Sequence, residues 1–287
     1  MDLFGKPRLS YQSMESYHRD LAFNVQWRLE QIVSALVRSL IAQTGVPRLC
    51  LAGGVAMNCC MNGKLSLMKE VHQIFIQPAS SDNGIALGAA YVMAQRAGVS
   101  QFEKLCHAYW GPSYSEAEIE TAIRESKLEY YRSRSTIEEV AQYLEKGKIV
   151  GWLQGRMEVG ARALGNRSIL ASPLFKDMKD KLNREVKHRE DWRPFCPSLP
   201  IEDYRTYFDD GMESDYMILA YPVRSAFQSQ IPSVVHVDGT ARPQTVRKEY
   251  NPKFHALLKE FGRRSGHPIL INTSFNIQDE PIVRTPA

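Results

Sequence analysis

Two stretches of this sequence concentrate cationic side chains where they could hold an anion. "GRMEVGARALGNRS" (155–168) sets Arg156, Arg162 and Arg167 among three glycines, and "NREVKHREDWRPF" (183–195) carries Arg184, Lys187, Arg189 and Arg193. A guanidinium binds phosphate or carboxylate through paired hydrogen bonds, and an ammonium adds a point charge. Lys187 and Arg189 stand two apart, so on a strand they would share one face. The run makes either an anion clamp or a solvated basic face. Interleaved glycine, proline and aromatic residues favour the clamp.

Other segments offer smaller polar groups. "HPILINTSFNIQDEPIV" (267–283) reads as an apolar strand opening into Asn272, Thr273, Ser274 and Asn276, which suits a ligand loop or a plain turn. "VVHVDGTARPQTV" (234–246) alternates His236 and Asp238 with apolar residues, so a strand would point both to one face. His236 there is a base, a phosphate donor or a structural histidine. In "LAGGVAMNCCMNGK" (51–64), a strand ending at Gly53-Gly54 before a helix would leave backbone N–H groups for a phosphate or nucleoside, with Asn58 on a ribose or base edge. The alternative is a tight turn capped by Asn58. Asp82, in a loop before "NGIALGAA", is either a hard-metal ligand or an N-cap. No G-x-S-x-G and no Walker P-loop is present. No cysteine sits in a setting that suggests catalysis, and Cys59 and Cys60 read as small core residues at a helix start.

These groups need elements to position them. Apolar residues from Leu21 to Ile41 recur at helical spacing, predicting a helix over 20–44 stopped by Gly45. "VPRLCLAGG" and "HQIFIQP" predict buried strands, and 80–98 predicts a helix after a polar start, with Gly84 and Gly88 on a face open to close approach. This strand–helix alternation is an α/β pattern. Periodicity breaks at 98–115, where a domain boundary is expected. Helices at 115–126 and 135–146, strands at "LEYYRS" and "KIVGWLQG", and short strands among polar loops then predict an α+β unit.

Composition bounds the class. The chain has 287 residues, 44% hydrophobic and 24% charged, with no run near the roughly 20 apolar residues that span a bilayer. The start lacks the apolar core of a signal peptide. Five cysteines without a C-x-x-C pair argue for reduced thiols and a cytoplasmic setting. A net charge of +4 is too mild to indicate nucleic acid. The abrupt stop after "RTP" suggests part of a longer protein.

Six ordered stretches, "LAGGVAMNCCMNGKL", "IFIQPASSDNGIALGAA", "GRMEVGARALGNRSILASP", "KHREDWRPFCPS", "HVDGTARPQTV" and "ILINTSFNIQDEPIV", together resemble the O-carbamoyltransferases that modify nodulation factors and antibiotics. The resemblance runs from about residue 3 to 287. It implies the second half of an actin-like (ASKHA) domain over 1–108 and a YrdC-like domain over 109–287. Their implied chemistry joins carbamoyl phosphate and ATP into carbamoyl adenylate, then passes the carbamoyl group to the hydroxyl of a small-molecule acceptor. By resemblance, Gly53, Gly54 and Asn58 belong to a nucleotide turn, and Asp82 to a divalent metal site of iron or magnesium. That site is completed in the family by an H-x-x-x-H pair not found here, where His18 and His72 lack such a partner. A partner chain supplying the family's first actin-like subdomain is therefore expected. Lys187 and Arg189 resemble a K-x-R element, Ser274 and Asn276 an S-x-N element, and Arg162, Arg167, Ser168 and Arg193 fall in neighbouring motifs. His236 and Asn272 complete the expected ligand contacts. Val159 and Ala161 replace an aromatic and a proline, and Asp279 replaces the usual glycine. Two other readings remain: a nucleotide-binding regulatory module without transfer activity, and a YrdC-like RNA-binding protein.

Overall fold

A computed structural model describes residues 4, 5, 7–9 and 11–287. The first unit is α1 (Ser16–Thr44), β1 (Arg48–Leu51), α2 (Cys59–Ser66), β2 (Gln73–Ile76) and α3 (Ile85–Arg96). β1 and β2 pair in parallel, Arg48 opposite Gln73 and Leu51 opposite Ile76. Residue 45 ends α1 because glycine takes the left-handed φ of 68° there at little cost. Leu29, Val33, Val37 and Ile41, spaced for one helical face, pack on Met61, Leu65 and Val71. The other side of α1 leaves Phe23, Val25, Trp27, Leu36 and Leu40 exposed.

The second unit begins with α4 (Glu116–Glu125) and α5 (Thr136–Glu145), then β3 (Val150–Leu153), β4 (Arg167–Ala171) and α6 (Met178–Lys181). β5 (Cys196–Pro200), α7 (Tyr204–Tyr207), β6 (Tyr221–Pro222) and α8 (Ser225–Gln228) follow. β7 (Thr240–Ala241), β8 (Gln244–Val246), α9 (Pro252–Ser265) and β9 (Leu270–Ser274) complete it. Five strands form one mixed sheet in the order β3-β4-β9-β5-β8, antiparallel except for β5 with β8. Alternation divides its faces: Leu170 and Leu270 meet Leu144, Leu257, Leu258 and Phe261 of α5 and α9, while Ile169, Leu199 and Ile271 face Tyr204, Tyr207 and Phe208. Each fully buried side chain of this size contributes about 1.5–3 kcal/mol.

The two units share a core. Ala56 and Ile76 of the first join the cluster around Phe195 and Tyr221 of the second. α2 lies against residues 218–221: the Ala220 N–H donates to the Cys59 carbonyl at 3.1 Å, and Asn62 Nδ2 donates to the Ile218 carbonyl at 3.0 Å. Gly63 makes this approach possible, since a Cβ there would stand 2.0 Å from the Ala220 carbonyl oxygen.

Several sequence expectations change. α1 starts four residues before Asp20, and α3 starts only at Ile85, after a 3-10 turn at Asp82–Gly84. Gly84 is approached closely, by the Ala79 carbonyl, whereas Gly88 faces open space. "LEYYRS" is no strand: it finds no partner edge, leaves Leu128 70% exposed, and lets Tyr131 donate to Glu139 of α5. His236 and Asp238 sit in a turn through Gly239, not on a strand, since the His236 N–H closes back on the Thr240 carbonyl at 2.7 Å. Lys187 and Arg189 are not on a strand either; Leu182–Lys187 is a π-helix ended by His188 at a left-handed φ of 47°. Among the described residues no helix is long and apolar enough to cross a membrane.

The Gly63 contact can be checked by substitution. Gly63→Ala should cost about 1–3 kcal/mol by overpacking. Gly88→Ala, helical and unobstructed, should add about 0.5–1 kcal/mol. Denaturant unfolding of the two variants measures both, and equal effects would refute the close approach.

Candidate functional site

A buried carboxylate shapes the first cationic loop. Glu158 Oε1 accepts the backbone N–H groups of Leu164, Asn166 and Arg167 at 2.6, 2.7 and 3.3 Å, folding 158–167 so that Arg162 projects from it. Gly165, at φ 102°, donates its N–H to Ser168 Oγ at 3.0 Å and lies under the Phe254 ring. Arg167 belongs to this framework. It is fully buried, and its guanidinium donates to the carbonyls of Gln154 and Asn166 at 2.8 Å and of Pro112 at 3.4 Å. Ser168 is likewise inside the sheet, opposite Ser274.

The second cationic segment reaches the same place by another route. A π-helix holds an extra residue per turn and is common at functional sites; here it turns Lys187 inward and Arg189 back over Asn183. Lys187 Nζ donates to the carbonyls of Ser274 and Asn276 at 2.7 and 2.8 Å, to Asn276 Oδ1 at 2.7 Å and to Ser274 Oγ at 3.2 Å. Thus Lys187, Ser274 and Asn276, separated by almost ninety positions, form one cluster. Burial and the adjacent Arg189 charge push the Lys187 ammonium down to about 8. Arg189 Nε donates to Asn183 Oδ1 at 2.8 Å, and its guanidinium lies 4.7 Å from the Phe195 ring centre.

Arg162, Arg189 and Arg242 converge on one cavity of about 100 Å³, floored by Phe195, Asn272 and Ser274. Arg162 Nε and Asn272 Oδ1 are buried without partners, and such an orphaned donor beside two more guanidiniums suits an anionic oxygen. Burial and the neighbouring Arg242 hold Arg162 down to about 10. Arg242 donates to Cys196 Sγ at 2.8 and 3.0 Å. His236 stands beside it, its Nδ1 3.0 Å from Thr240 Oγ1, with burial and then the Arg242 charge lowering its pKa. Arg193 lies outside the cavity, exposed and paired with Glu190 at 2.8 Å.

In the first unit, Gly53 takes φ 98° and gives its N–H to the Ser80 carbonyl at 2.7 Å. A single 3-10 turn (Gly54–Met57) then intervenes before α2. Asn58 caps α2, accepting the Met61 N–H at 3.0 Å, and exchanges hydrogen bonds with Gln26 of α1 at 2.7 and 3.2 Å. A Cβ on Gly53 or Gly54 would meet nothing within 4 Å, so the turn faces open space. Asp82 is exposed, and among the described residues no group of three His, Cys, Asp or Glu could hold a metal ion. Asp82 alone does not make a metal site. Cys59 and Cys60 do stand at the start of α2 but are only half-buried, so they are not core fillers.

Two family models match: Carbamoyltransferase N-terminus over 1–91 and Carbamoyltransferase C-terminus over 141–287. The chain belongs to the carbamoyltransferase family. It is 42% identical over 275 residues to nodulation protein NolO of Bradyrhizobium diazoefficiens, covering 93% of this chain and 50% of NolO. It is 36% identical over 235 residues to the 3'-hydroxymethylcephem-O-carbamoyltransferase of Amycolatopsis lactamdurans, covering 82% and 44%. A Synechocystis protein, sll1178, is 38% identical over 316 residues, covering 99% and 51%. The chain thus spans about half the length of the relatives it matches.

Around the cavity the sequence reading missed Arg242 and Cys196. Arg242 lies within "HVDGTARPQTV", where an arginine beside a proline was available as a signal; Cys196 gave none, because its role depends on a contact with Arg242 forty-six positions away. Asp279, in place of glycine, keeps the glycine geometry at φ 65°, which aspartate tolerates better than most residues.

Lys187 gives a pH test. Its folded-state pKa of about 8 lies below the ordinary 10.5, so the unfolded chain binds more protons between those values and stability rises with pH there. Unfolding midpoints followed between pH 8 and 10.5 should climb relative to Lys187→Met, whose difference from the parent should instead be flat if Lys187 is solvated.

Proposed function

We propose that the cavity takes the phosphates of carbamoyl phosphate and ATP, and that the chain is the adenylate-forming part of an O-carbamoyltransferase. The observation carrying this is that Arg162, Arg189 and Arg242 line one cavity, with Lys187 braced on Ser274 of its wall, and that among the described residues none of the four is ion-paired with a carboxylate. Neighbouring cations held without counter-carboxylates are costly unless an anion completes them. A YrdC-like reading of 109–287 explains the pairing of Lys187 with Ser274 and Asn276. There, water hydrolyses carbamoyl phosphate to carbamate and phosphate, and a carbamate oxygen attacks the α-phosphorus of ATP, breaking its bond to the departing pyrophosphate. The arginines neutralise the incoming charge, and Lys187 fixes the Ser274–Asn276 loop against it. Enclosure limits hydrolysis of these labile species.

Transfer to an acceptor is the second half of the proposal. An actin-like reading of 1–108 assigns the Gly53-Gly54 turn to the nucleotide and the acceptor hydroxyl to the space beyond it. The acceptor class, a hydroxyl-bearing small molecule, follows the name of the cephem relative. Asp82 stands alone, so a metal would need ligands from beyond the described residues; no step is assigned to it. The exposed Phe23, Trp27 and Leu36 of α1 fit cover by the remainder of the transferase, in the same chain or a partner. Adenylate formation without transfer is the reading favoured for the chain by itself.

ATP-dependent breakdown of carbamoyl phosphate, followed as pyrophosphate release, tests this. Arg189→Ala should lower turnover by about 10²-fold or more, the scale of removing one charge-stabilising donor. Turnover should also decline above pH about 8 as Lys187 loses its proton. An inactive parent chain, or a variant as fast as the parent, rejects the reading.

A further inference from the structure

Asn272 brings an acceptor to a cavity otherwise built to hold acceptors. It is 1% exposed, lies on β9 in the middle of the sheet, and lines the cavity with Arg162, Arg189 and Arg242. Its backbone runs between Leu170 of β4 and Cys196 of β5. Its Nδ2 donates to Ser198 Oγ and Gln244 Oε1, both at 3.0 Å, and to the Ala163 carbonyl at 3.3 Å. Neighbours fix which way this amide points. Gln244 Nε2 donates to the Leu164 carbonyl at 2.9 Å, so Gln244 Oε1 is the acceptor turned to Asn272, and it also takes the Ser198 hydroxyl at 2.6 Å. With the backbone in the sheet and Nδ2 spent, Oδ1 is what Asn272 has left to offer the cavity, and it is buried without a partner. An amide oxygen only accepts, and so do the oxygens of an ionised phosphate. An anion held by the arginines therefore leaves Oδ1 unpaired, at the full cost of its desolvation. Arg162 Nε, in the same cavity, is a buried donor without a partner. Together the two orphans call for one small group that accepts through oxygen and donates through a neighbouring atom.

We propose that Asn272 Oδ1 accepts a hydrogen bond from the amino group of the carbamoyl moiety while Arg162 Nε donates to its oxygen, so that this wall distinguishes a carbamoyl from an acyl phosphate. This rests on the reading of the cavity as a carbamoyl phosphate site and deepens it. A carbamoyl group carries both functions on one carbon, and a cavity of about 100 Å³ suits so small a group. An acetyl group has the same shape with a methyl in place of NH2. It would press that methyl on Oδ1 and leave the acceptor unpaired. Sites built to bond a substrate N–H reject the analogue lacking it far more strongly than apolar pockets sort by size. Asn272 is thus a specificity residue, held in place by Ser198 and Gln244.

The test uses the full chain and two stable phosphonates of equal shape: phosphonoacetamide, which carries the amide, and acetonylphosphonate, which carries a methyl ketone. In titrations followed by phosphorus NMR, phosphonoacetamide should bind about tenfold tighter or more, the scale of a buried acceptor satisfied rather than left unpaired. Asn272→Leu should bring that ratio towards one, a change of preference that a merely structural role would not produce. Should the variant not fold, the ratio in the unsubstituted chain still decides, because a wall without a reader of the amide binds the pair alike. Equal affinities in the parent, or a preference retained by Asn272→Leu, overturn the proposal and leave the anion cavity intact. Binding of neither phosphonate by the parent removes both.

Discussion

A backbone-to-backbone contact sets the position of everything near the cavity. Gly63 lets α2 lie against the Ala220 carbonyl at a separation no side-chain-bearing residue would allow. That contact fixes the Cys59 carbonyl on the Ala220 N–H, buries Asn62 on the Ile218 carbonyl, and brings the Ser66 hydroxyl 2.7 Å from the Tyr221 hydroxyl. Cys59, Asn62 and Ser66 of one short helix are therefore bonded to Ala220, Ile218 and Tyr221 of the other unit. Because Asn58 caps the same helix and pairs with Gln26, α1 and the glycine turn are carried to the cavity with it. Interiors packed at crystal-like density transmit such placement stiffly.

A second constraint acts inside the second unit. Glu158 spends one oxygen on three backbone N–H groups, and Arg167 spends its guanidinium on carbonyls from two segments. Both are charged and buried, yet neither faces the cavity. They fold the glycine-broken loop so that Arg162 is its outward member. The loop's three glycines each meet a different demand: Gly160 admits the Pro78 carbonyl, Gly165 admits the Phe254 ring, and Gly155 takes a positive φ of 47°.

What was legible in the sequence follows from the range of the interactions. α1, α5 and α9 pack through one apolar stripe, a local periodicity that a sequence displays. "KIVGWLQG" and "ILINTSF" read as strands from the sequence, and in the sheet their residues alternate between two packed faces. "LEYYRS" shows similar residues but finds no partner edge, and partner availability is a tertiary fact. The K-x-R and S-x-N residues were identifiable by resemblance, though the strand assumed for the first was a π-helix, which periodicity does not reveal. Arg167 and Arg193 looked equivalent to Arg162 in composition. Their separation into framework, surface and cavity depends on Glu158, Glu190 and the fold of the loop.

Elsewhere in this chain arginines are matched with carboxylates: Arg247 with Asp215 and Glu213, Arg264 with Glu145, Arg224 with Asp209. Around the cavity the partners are neutral oxygens and sulfur instead. Asn183 orients Arg189, Cys196 orients Arg242, and the Ser274 and Asn276 oxygens orient Lys187. A carboxylate partner would orient these cations equally well but would cancel their charge and compete with an incoming phosphate. Neutral acceptors fix direction and leave the charge available, which is the requirement of a preorganised anion site.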